Sequence, residues 1–401
     1  MIWFILPSNV FFFKRRKFKK SIAEVDDFIV DEEQLKAFCK VALSHKSIGL
    51  DIEGNGFYRY PERVCLIQIS LEDHPFIIDP LQFVDLAPLG EIFNNSAITK
   101  IVHAGDYDIR SLSRDYQFTF HNIFDTSIAA AFLGSGRLGL DAVLKEYLDV
   151  EVSKDKRLQR SDWTNRPLSG EALEYAANDV RYLINAMDRM SEKLESLGRL
   201  KWVEEEFTRL STVRFAPKDE ELSFLNVKGS KDIEGQNLSV LKKLYEFRED
   251  EAISKDRPPF KIISDSILVS IAREPQRDLS EIKGIGWWSR PEPSARLRKV
   301  IRRGLEGSPI TRPRKQGNDA PRLSNKQRER ANMRLRSLKL WRKNLGGELG
   351  LDPSILWPTS SLNKLSRSPG DLEVEIEHPE VRTWQRREFE DLLKTTLQKV
   401  G

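Results

Sequence analysis

Hydrophobic and polar positions between residues 25 and 210 follow two different periods. Short apolar runs rich in β-branched residues predict strands at 48–52, 64–70, 76–79 and 100–103. Apolar residues at helical spacing predict helices at 106–116, 127–133 and 140–147, and a long helix that begins near Ser169, whose hydroxyl is a suitable N-cap. Strands that alternate with helices indicate a sheet packed against helices, so this part is expected to be an α/β domain.

Beyond residue 215 strand signals become scarce, and apolar residues recur at the spacing of helix faces. One set contains Leu238, Leu241, Leu244 and Phe247, a second contains Ile263, Ile267, Leu268 and Ile271, and a third contains Leu335, Leu338, Leu340 and Trp341. The first two sets predict a small helical bundle. The third lies in a region with the same order of a helix, a Pro-containing connection, a short helix and a closing helix, so we infer a duplicated bundle.

Shifts in composition divide the chain into several units. At 401 residues it is long enough for several domains, since a typical domain has roughly 100–150 residues. The expected units are an N-terminal extension (1–21), the α/β domain (22–215), a connector (216–236), a helical domain (237–305), a basic connector (306–323) and a second helical domain (324–401).

The composition predicts a soluble protein with highly charged surfaces, because 39% of the residues are hydrophobic and 31% are charged. The two cysteines, Cys39 and Cys65, have no metal-binding or redox spacing, which favours a reducing, cytoplasmic location. In the first 20 residues an apolar stretch precedes a basic cluster, the reverse of a secretory signal, and it is too short to span a membrane. We expect a disordered extension and no membrane partner, with a peripheral membrane contact as the weaker alternative.

The net charge of +4 conceals a strongly basic segment. Between Arg290 and Lys343 there are 18 lysines and arginines and four acidic residues. Such a segment favours a polyanionic partner, because each neutralised phosphate releases condensed counterions. A solvated linker is an equally acceptable interpretation of the basic run taken alone.

Two acidic residues stand at alternate positions at the end of an apolar run, in the sequence IGLDIEGNG. On a strand, Asp51 and Glu53 would project from the same face, and such hard oxygen ligands suit Mg²⁺ or Mn²⁺. An isolated D-x-E pattern is more often an ordinary solvated strand end. A metal site therefore needs further acids from elsewhere in the chain.

Such acids occur in KIVHAGDYDIRSL and LEYAANDVRYL. Asp106 and Asp108 would lie in the first turn of a helix, where acids also serve to stabilise the positive helix end. Tyr175 and Asp179 are one helical turn apart and share a face. A phenol there could orient an attacking water beside a metal-binding carboxylate, or it could be a packing residue whose hydroxyl is satisfied locally.

These three segments, in this order and at these intervals, resemble the exonuclease motifs of the DEDDy superfamily and, within it, of the ribonuclease D family. The phrases VCLIQIS (64–70), FDTSIAAAFLG (124–134) and SDWTNRPLS (161–169) stand where that family has similar ones. Residues 237–303 resemble the HRDC domain, a small nucleic-acid-binding bundle, and residues 324–398 look like a divergent second copy. The resemblance implies a ribonuclease H-like exonuclease domain, with a mixed sheet flanked by helices, followed by one or two small all-α HRDC bundles.

The resemblance also implies roles for individual residues. Asp51, Glu53, Asp108 and Asp179 would ligate two divalent cations, Mg²⁺ or Mn²⁺, and Tyr175 would position the attacking water. The family has its catalytic aspartate three residues beyond the glycine of this motif, which selects Asp108 and leaves the aspartate two residues earlier as a helix-start residue.

The implied activity is that of a 3′–5′ exoribonuclease that releases nucleoside 5′-monophosphates. Precursors of tRNA or other structured RNAs are the expected partners, and a monomer is the expected state. Gln68 and His103 are weaker, substrate-binding candidates. An exonuclease that acts on DNA and an inactive nucleic-acid-binding scaffold remain as alternatives.

Two features need separate interpretation. The family often has a bulky or aromatic residue after the acid that corresponds to Glu53, whereas this chain has Gly54, which puts substrate preference in question more than chemistry. The sequence GSGRLG (134–139) fits the G-x-G-x-x-G pattern of dinucleotide-binding loops. It follows an expected helix rather than a strand, so we interpret it as an interhelical turn.

Overall fold

The computed structural model of the protein describes residues 27–83, 85–152, 155–217, 219, 221–313 and 323–399. The predicted N-terminal extension (1–21) lies outside these residues, as do residues 314–322 of the predicted basic connector. Within the described ranges, none of the helices is both long and apolar enough to cross a bilayer.

A mixed sheet forms the centre of the α/β domain. Its six strands in the described part of the chain are β1 (Phe28–Ile29), β2 (Ser47–Gly54), β3 (Val64–Leu71), β4 (His74–Ile78), β5 (Thr99–Val102) and β6 (Ile123–Asp125), in the order β1-β4-β3-β2-β5-β6. β3 is antiparallel to both of its neighbours, and the other pairs are parallel. The four predicted strands are confirmed, although β4 begins two residues before its predicted start. β1 and β6 were not predicted because two or three residues are too few to show a period.

Nine helices of the described residues complete this domain. They are α1 (Glu32–Ala42), α2 (Ala87–Asn94), α3 (Asp106–Tyr116), α4 (Thr126–Leu133), α5 (Leu140–Leu148), α6 (Lys156–Gln159), α7 (Gly170–Arg181), α8 (Leu183–Ser196) and α9 (Leu200–Ser211). α3 has the predicted bounds. The predicted N-cap is also confirmed, since the Ser169 hydroxyl accepts the amide of Ala172 at 3.2 Å. The long helix expected after it is divided at Tyr182 into α7 and α8.

The glycine-rich segment 134–139 connects α4 to α5. Gly134 has a φ of +86° and caps the C-terminus of α4, a left-handed conformation that glycine adopts without steric cost. The segment follows a helix rather than a strand. Its interpretation as an interhelical turn is therefore confirmed.

The two faces of the sheet bury different sets of side chains. α1, α2 and α3 pack on the face to which Leu50 and Ile52 of β2 point. α7 covers the opposite face, where it packs against Leu66 of β3. Because side chains alternate along a strand, Asp51 and Glu53 point to the α7 side. The acids of β2 therefore meet a helix instead of open solvent.

The first helical bundle contains α10 (Gly235–Ser254), α11 (Pro259–Ile262), α12 (Asp265–Arg273) and α13 (Pro291–Glu306). Its hydrophobic core extends upstream of these helices. Phe224, Val227 and Ile233 are buried in it, although the sequence placed them in the connector 216–236. Only the residues before this segment therefore serve as a simple connection.

The second bundle contains α14 (Asn325–Leu349), α15 (Pro353–Leu356), α16 (Thr359–Arg367), α17 (Leu372–Ile376) and α18 (Thr383–Gln398). α15, α16 and α18 have 4, 9 and 16 residues, the same lengths as α11, α12 and α13. Leu338 is buried as expected, whereas Leu340 is 57% exposed. Residues two positions apart on a helix point about 200° away from each other, so Leu340 lies on the side of α14 opposite to Leu338.

The two bundles contact the α/β domain in different ways. The second shares a continuous hydrophobic core with α4, α5, α8 and α9, in which the rings of Trp202 and Trp384 stack at 4.8 Å. The first meets a loop of the α/β domain through polar contacts, among them the Tyr60 hydroxyl to Glu249 at 2.6 Å. Removal of the second bundle would thus expose apolar surface of the α/β domain.

Candidate active site

Three of the predicted acids come together where β2 passes under α7. Asp51 and Glu53 project from one face of β2, and Asp179 reaches them from α7. One carboxylate oxygen from each lies within 4.8 Å of the others. All three side chains are half-buried. The alternation of β2 and the position of α7 over it are sufficient to create this cluster.

Asp108, the fourth predicted acid, lies in the first turn of α3 and is only 6% exposed. It is outside the group of three, yet its negative charge helps to raise the pKa of both Asp51 and Glu53. Asp106 is exposed and forms an ion pair with Arg110 at 2.7 Å. Asp108 is therefore close enough to Asp51 and Glu53 to affect their protonation, whereas Asp106 is a surface residue of the helix start.

The four acids bring negative charge together in one part of the domain. Burial, followed by the charges of neighbouring acids, raises the pKa of Asp51, Glu53 and Asp108, and burial raises the pKa of Asp179 to about 7. Among the described residues, no lysine or arginine forms an ion pair with any of them. Carboxylates gathered in this way favour divalent cations with a preference for oxygen ligands. The residues present therefore fit a divalent metal site.

Tyr175 lies one turn before Asp179 on α7 and is half-buried. Its ring packs against that of Trp163, with 6.3 Å between ring centroids. Burial and the charges of Asp179 and Glu53 raise the pKa of the Tyr175 phenol. The hydroxyl therefore stays protonated at neutral pH and can donate a hydrogen bond beside the carboxylates.

The segment SDWTNRPLS supports this tyrosine. Its Arg166 donates to Asp79 at 2.8 Å and to the Cys65 carbonyl at 2.9 Å, which ties the segment to β3 and to the end of β4. The same segment carries Trp163, which is 1% exposed and contacts Tyr175. This segment thus has a structural explanation as a support for α7.

Asp125, at the end of β6, is a residue of the site that the sequence did not reveal. Its carboxylate accepts the backbone amides of Ala104 at 3.1 Å and Gly105 at 2.9 Å, in the turn that leads into Asp108. It also caps α4 through the amide of Ser127 at 2.8 Å. An aspartate before a helix predicts the cap. The contact with Gly105 joins positions 20 residues apart, and a single sequence carries no signal for such a contact.

We expect Asp125→Asn to lower the rate of the expected exonuclease reaction by on the order of tenfold, as for other residues that orient metal ligands without binding the metal themselves. Asparagine keeps the Oδ1 acceptor for Ala104 and α4 but places an amide group where Oδ2 accepts from Gly105. Asp31→Asn is the matched control, because among the described residues the Asp31 side chain accepts only the amide of Gln34, at the start of α1. Initial rates and melting temperatures of both variants test the idea, and an unchanged rate in Asp125→Asn would contradict it.

The two weaker candidates have different surroundings. Gln68 lies directly opposite Asp51 on β3, is completely buried, and its amide has no hydrogen-bond partner among the described residues. A role for Gln68 in substrate binding stays a prediction. His103 is half-buried at the end of β5, with Nδ1 2.9 Å from the Thr126 hydroxyl. A role for His103 in substrate binding stays a prediction.

Comparisons with known proteins agree with this geometry. Residues 27–195 match a family model described as a 3′–5′ exonuclease, and residues 237–291 match the HRDC domain. The chain is 33% identical over 250 residues to the ribonuclease D of Desulfotalea psychrophila, covering 62% of this chain and 66% of the relative. It is 32% identical over 268 residues to that of Sphingobium indicum, covering 65% and 68%. About two thirds of each relative is thus matched.

The fold is also similar to the solved structure of Escherichia coli RNase D. That protein is described as an exoribonuclease involved in structured RNA processing. The TM-score is 0.68 at 23% sequence identity, and the superposition covers 93% of this chain and 98% of the other. The likeness therefore extends beyond the α/β domain to both helical regions.

Proposed function

Because this chain belongs to the ribonuclease D family of 3′–5′ exonucleases, we propose that it is a hydrolase that shortens RNA from the 3′ end and releases nucleoside 5′-monophosphates. The observation that carries the proposal is the cluster of Asp51, Glu53 and Asp179, whose carboxylate oxygens lie within 4.8 Å of one another. Asp108, which is buried, adds a fourth acid near them. An inactive scaffold would gain nothing from keeping these like charges together.

Asp51, Glu53, Asp108 and Asp179 are proposed to hold two divalent cations. Their oxygen-only donor set suits Mg²⁺ or Mn²⁺. When bound, ions of this kind lower the pKa of water and neutralise charge on a phosphodiester. The contribution of the chain is to fix the carboxylates: β2 supplies two of them and α7 supplies one, and α3 adds Asp108.

In the same proposal Tyr175 orients the attacking water. Its protonated hydroxyl stands beside the carboxylates and can hydrogen-bond to a water molecule in the site. Its ring packs against that of Trp163, with 6.3 Å between ring centroids, which limits the movement of the hydroxyl. A confined donor raises the fraction of water molecules that point correctly at the phosphorus atom.

RNA with a free 3′ end is the proposed substrate, and precursors of tRNA or other structured RNAs are the proposed natural examples. The HRDC match and the basic segment between Arg290 and Lys343 support a nucleic-acid partner. The equal lengths of corresponding helices support the second bundle as a divergent HRDC copy. We also propose that the protein acts as a monomer in the cytoplasm, where buried free thiols such as those of Cys39 and Cys65 persist.

The proposal is tested with 5′-labelled single-stranded RNA incubated with Mg²⁺, Mn²⁺ or EDTA. Stepwise shortening from the 3′ end is expected with either metal ion and none is expected in EDTA, since the carboxylates cannot act alone. Absence of shortening under all conditions would favour a binding scaffold. A tRNA precursor, an unstructured RNA and a single-stranded DNA of matched length, compared in the same assay, distinguish the substrates.

A further inference from the structure

Tyr107 is an exposed aromatic residue at the edge of the acidic cluster. It lies in the first turn of α3 between Asp106 and Asp108, and 47% of its surface is exposed, whereas Asp108 is buried. The Tyr107 hydroxyl lies 2.6 Å from the point that a Cβ on Gly54 would occupy. Gly54 follows Glu53 at the end of β2. The ring therefore spans the gap between the two elements that present Asp108 and Glu53.

The ring is held in this position from its outer end. Its hydroxyl donates to the carboxylate of Glu62, which in turn lies 3.9 Å from the guanidinium of Arg114. Any side chain at position 54 would collide with the hydroxyl, so the glycine provides the space that this arrangement needs. Tethering of this kind lowers the entropy that a side chain loses when a ligand binds to it.

An exposed aromatic ring fixed beside a centre that cleaves phosphodiesters is suited to bind a nucleobase. Nucleobases of any identity stack on aromatic faces, and such stacking contributes strongly to the binding of single strands. Other exposed aromatic residues are less suitably placed. The ring of Tyr58 already faces the ammonium group of Lys261 at 4.2 Å, and Phe57 lies in the loop after β2, outside the strand and helices that carry the acids.

We propose, on the basis of the function proposed above, that Tyr107 is the platform on which the base of the 3′-terminal nucleotide stacks. The phosphodiester next to that nucleotide then lies at the carboxylates of Glu53 and Asp108. Stacking is indifferent to base identity, which suits an enzyme that removes every nucleotide in turn. Tyr107 is in this view a substrate-binding residue that takes no part in proton transfer.

The test compares two RNA oligonucleotides that differ only in whether the 3′-terminal nucleotide carries a base or is abasic. The wild-type protein should process the base-bearing RNA with a kcat/KM on the order of tenfold higher, as expected for loss of one stacking contact. In Tyr107→Ala, the kcat/KM for the base-bearing RNA should fall to the value for the abasic RNA. Tyr107→Phe keeps the ring but loses its hydrogen bond to Glu62, so it should retain a preference for the base that is smaller than in the wild-type protein and larger than in Tyr107→Ala. Phe57→Ala, a nearby exposed aromatic substitution, should keep it as well.

A wild-type protein without preference for the base, or a preference that survives in Tyr107→Ala, would overturn the inference. An equal loss on both RNAs in Tyr107→Ala would also overturn it, because damage to the start of α3 affects both substrates alike. The same pair of RNAs is then compared by dissociation constant in the Asp51→Asn protein. If the wild-type protein cleaves neither RNA while a base-dependent affinity that requires Tyr107 is still measured, the proposed activity is refuted and the stacking site stands.

Discussion

Replacing Asp51 with asparagine is expected to lower kcat by about 1,000-fold or more, while the affinity for RNA changes little. A bound cation of this kind contributes several kcal/mol to transition-state stabilisation, and each 1.36 kcal/mol corresponds to a factor of about ten in rate. Asparagine keeps the shape of the side chain and one oxygen but removes the charge that the cation needs. In the proposed function RNA binding depends on separate surfaces, among them the basic segment from Arg290 to Lys343, so the affinity for RNA should persist.

Asp106→Asn is a closely matched control, because Asp106 lies on the neighbouring helix start and pairs with Arg110 on the surface. It removes the same charge from the same region without touching the cluster, and its rate should stay at the wild-type level. Single-turnover rates with Mg²⁺ and equilibrium binding of labelled RNA measure the two effects separately. An unimpaired rate in Asp51→Asn would refute the metal site, and an equal loss in Asp106→Asn would show that general charge rather than ligation is responsible.

Local patterns in the sequence were sufficient to predict the positions of several residues of the site. The alternation of β2 correctly placed Asp51 and Glu53 on one face, because the strand buries Leu50 and Ile52 on the other. Helical spacing gave the bounds of α3 and, through the Ser169 cap, the start of α7. Burial of apolar residues imposes both patterns directly on the sequence, which explains why they can be read from it.

Contacts between distant segments were not accessible in the same way. Asp125 holds the amide of Gly105 across 20 residues, and nothing in either segment specifies the other. Gly54 was recognised as a missing side chain, but the space it leaves is used by the hydroxyl of Tyr107, which belongs to another element. Gln68 was predicted to bind substrate, and its complete burial on β3 follows from the packing of α7 over the sheet, which no local pattern specifies.

The phenylalanine variant of Tyr175 is expected to lose on the order of 100-fold in kcat, a typical contribution for a side chain that orients or transfers a proton. Phenylalanine keeps the ring that packs against Trp163, so α7 and Asp179 should remain in place. Metal affinity, measured by titration calorimetry with Mn²⁺, should therefore change much less than the rate. Tyr147→Phe is the matched control, since it removes a hydroxyl that bonds to Ser135 at 2.7 Å, in another part of the domain.

Comparing the change in kcat with the change in Mn²⁺ affinity in Tyr175→Phe distinguishes the possible roles of Tyr175. A loss of rate with unchanged Mn²⁺ affinity assigns the hydroxyl to the attacking water, because the carboxylates are then intact and only the hydrogen bond is missing. A parallel loss of both would mean that the hydroxyl supports the metal-binding carboxylates, and wild-type rates would remove the tyrosine from the mechanism. Tyr175→Ala should lower both quantities, since it also removes the contact with Trp163 and leaves a cavity beside Asp179.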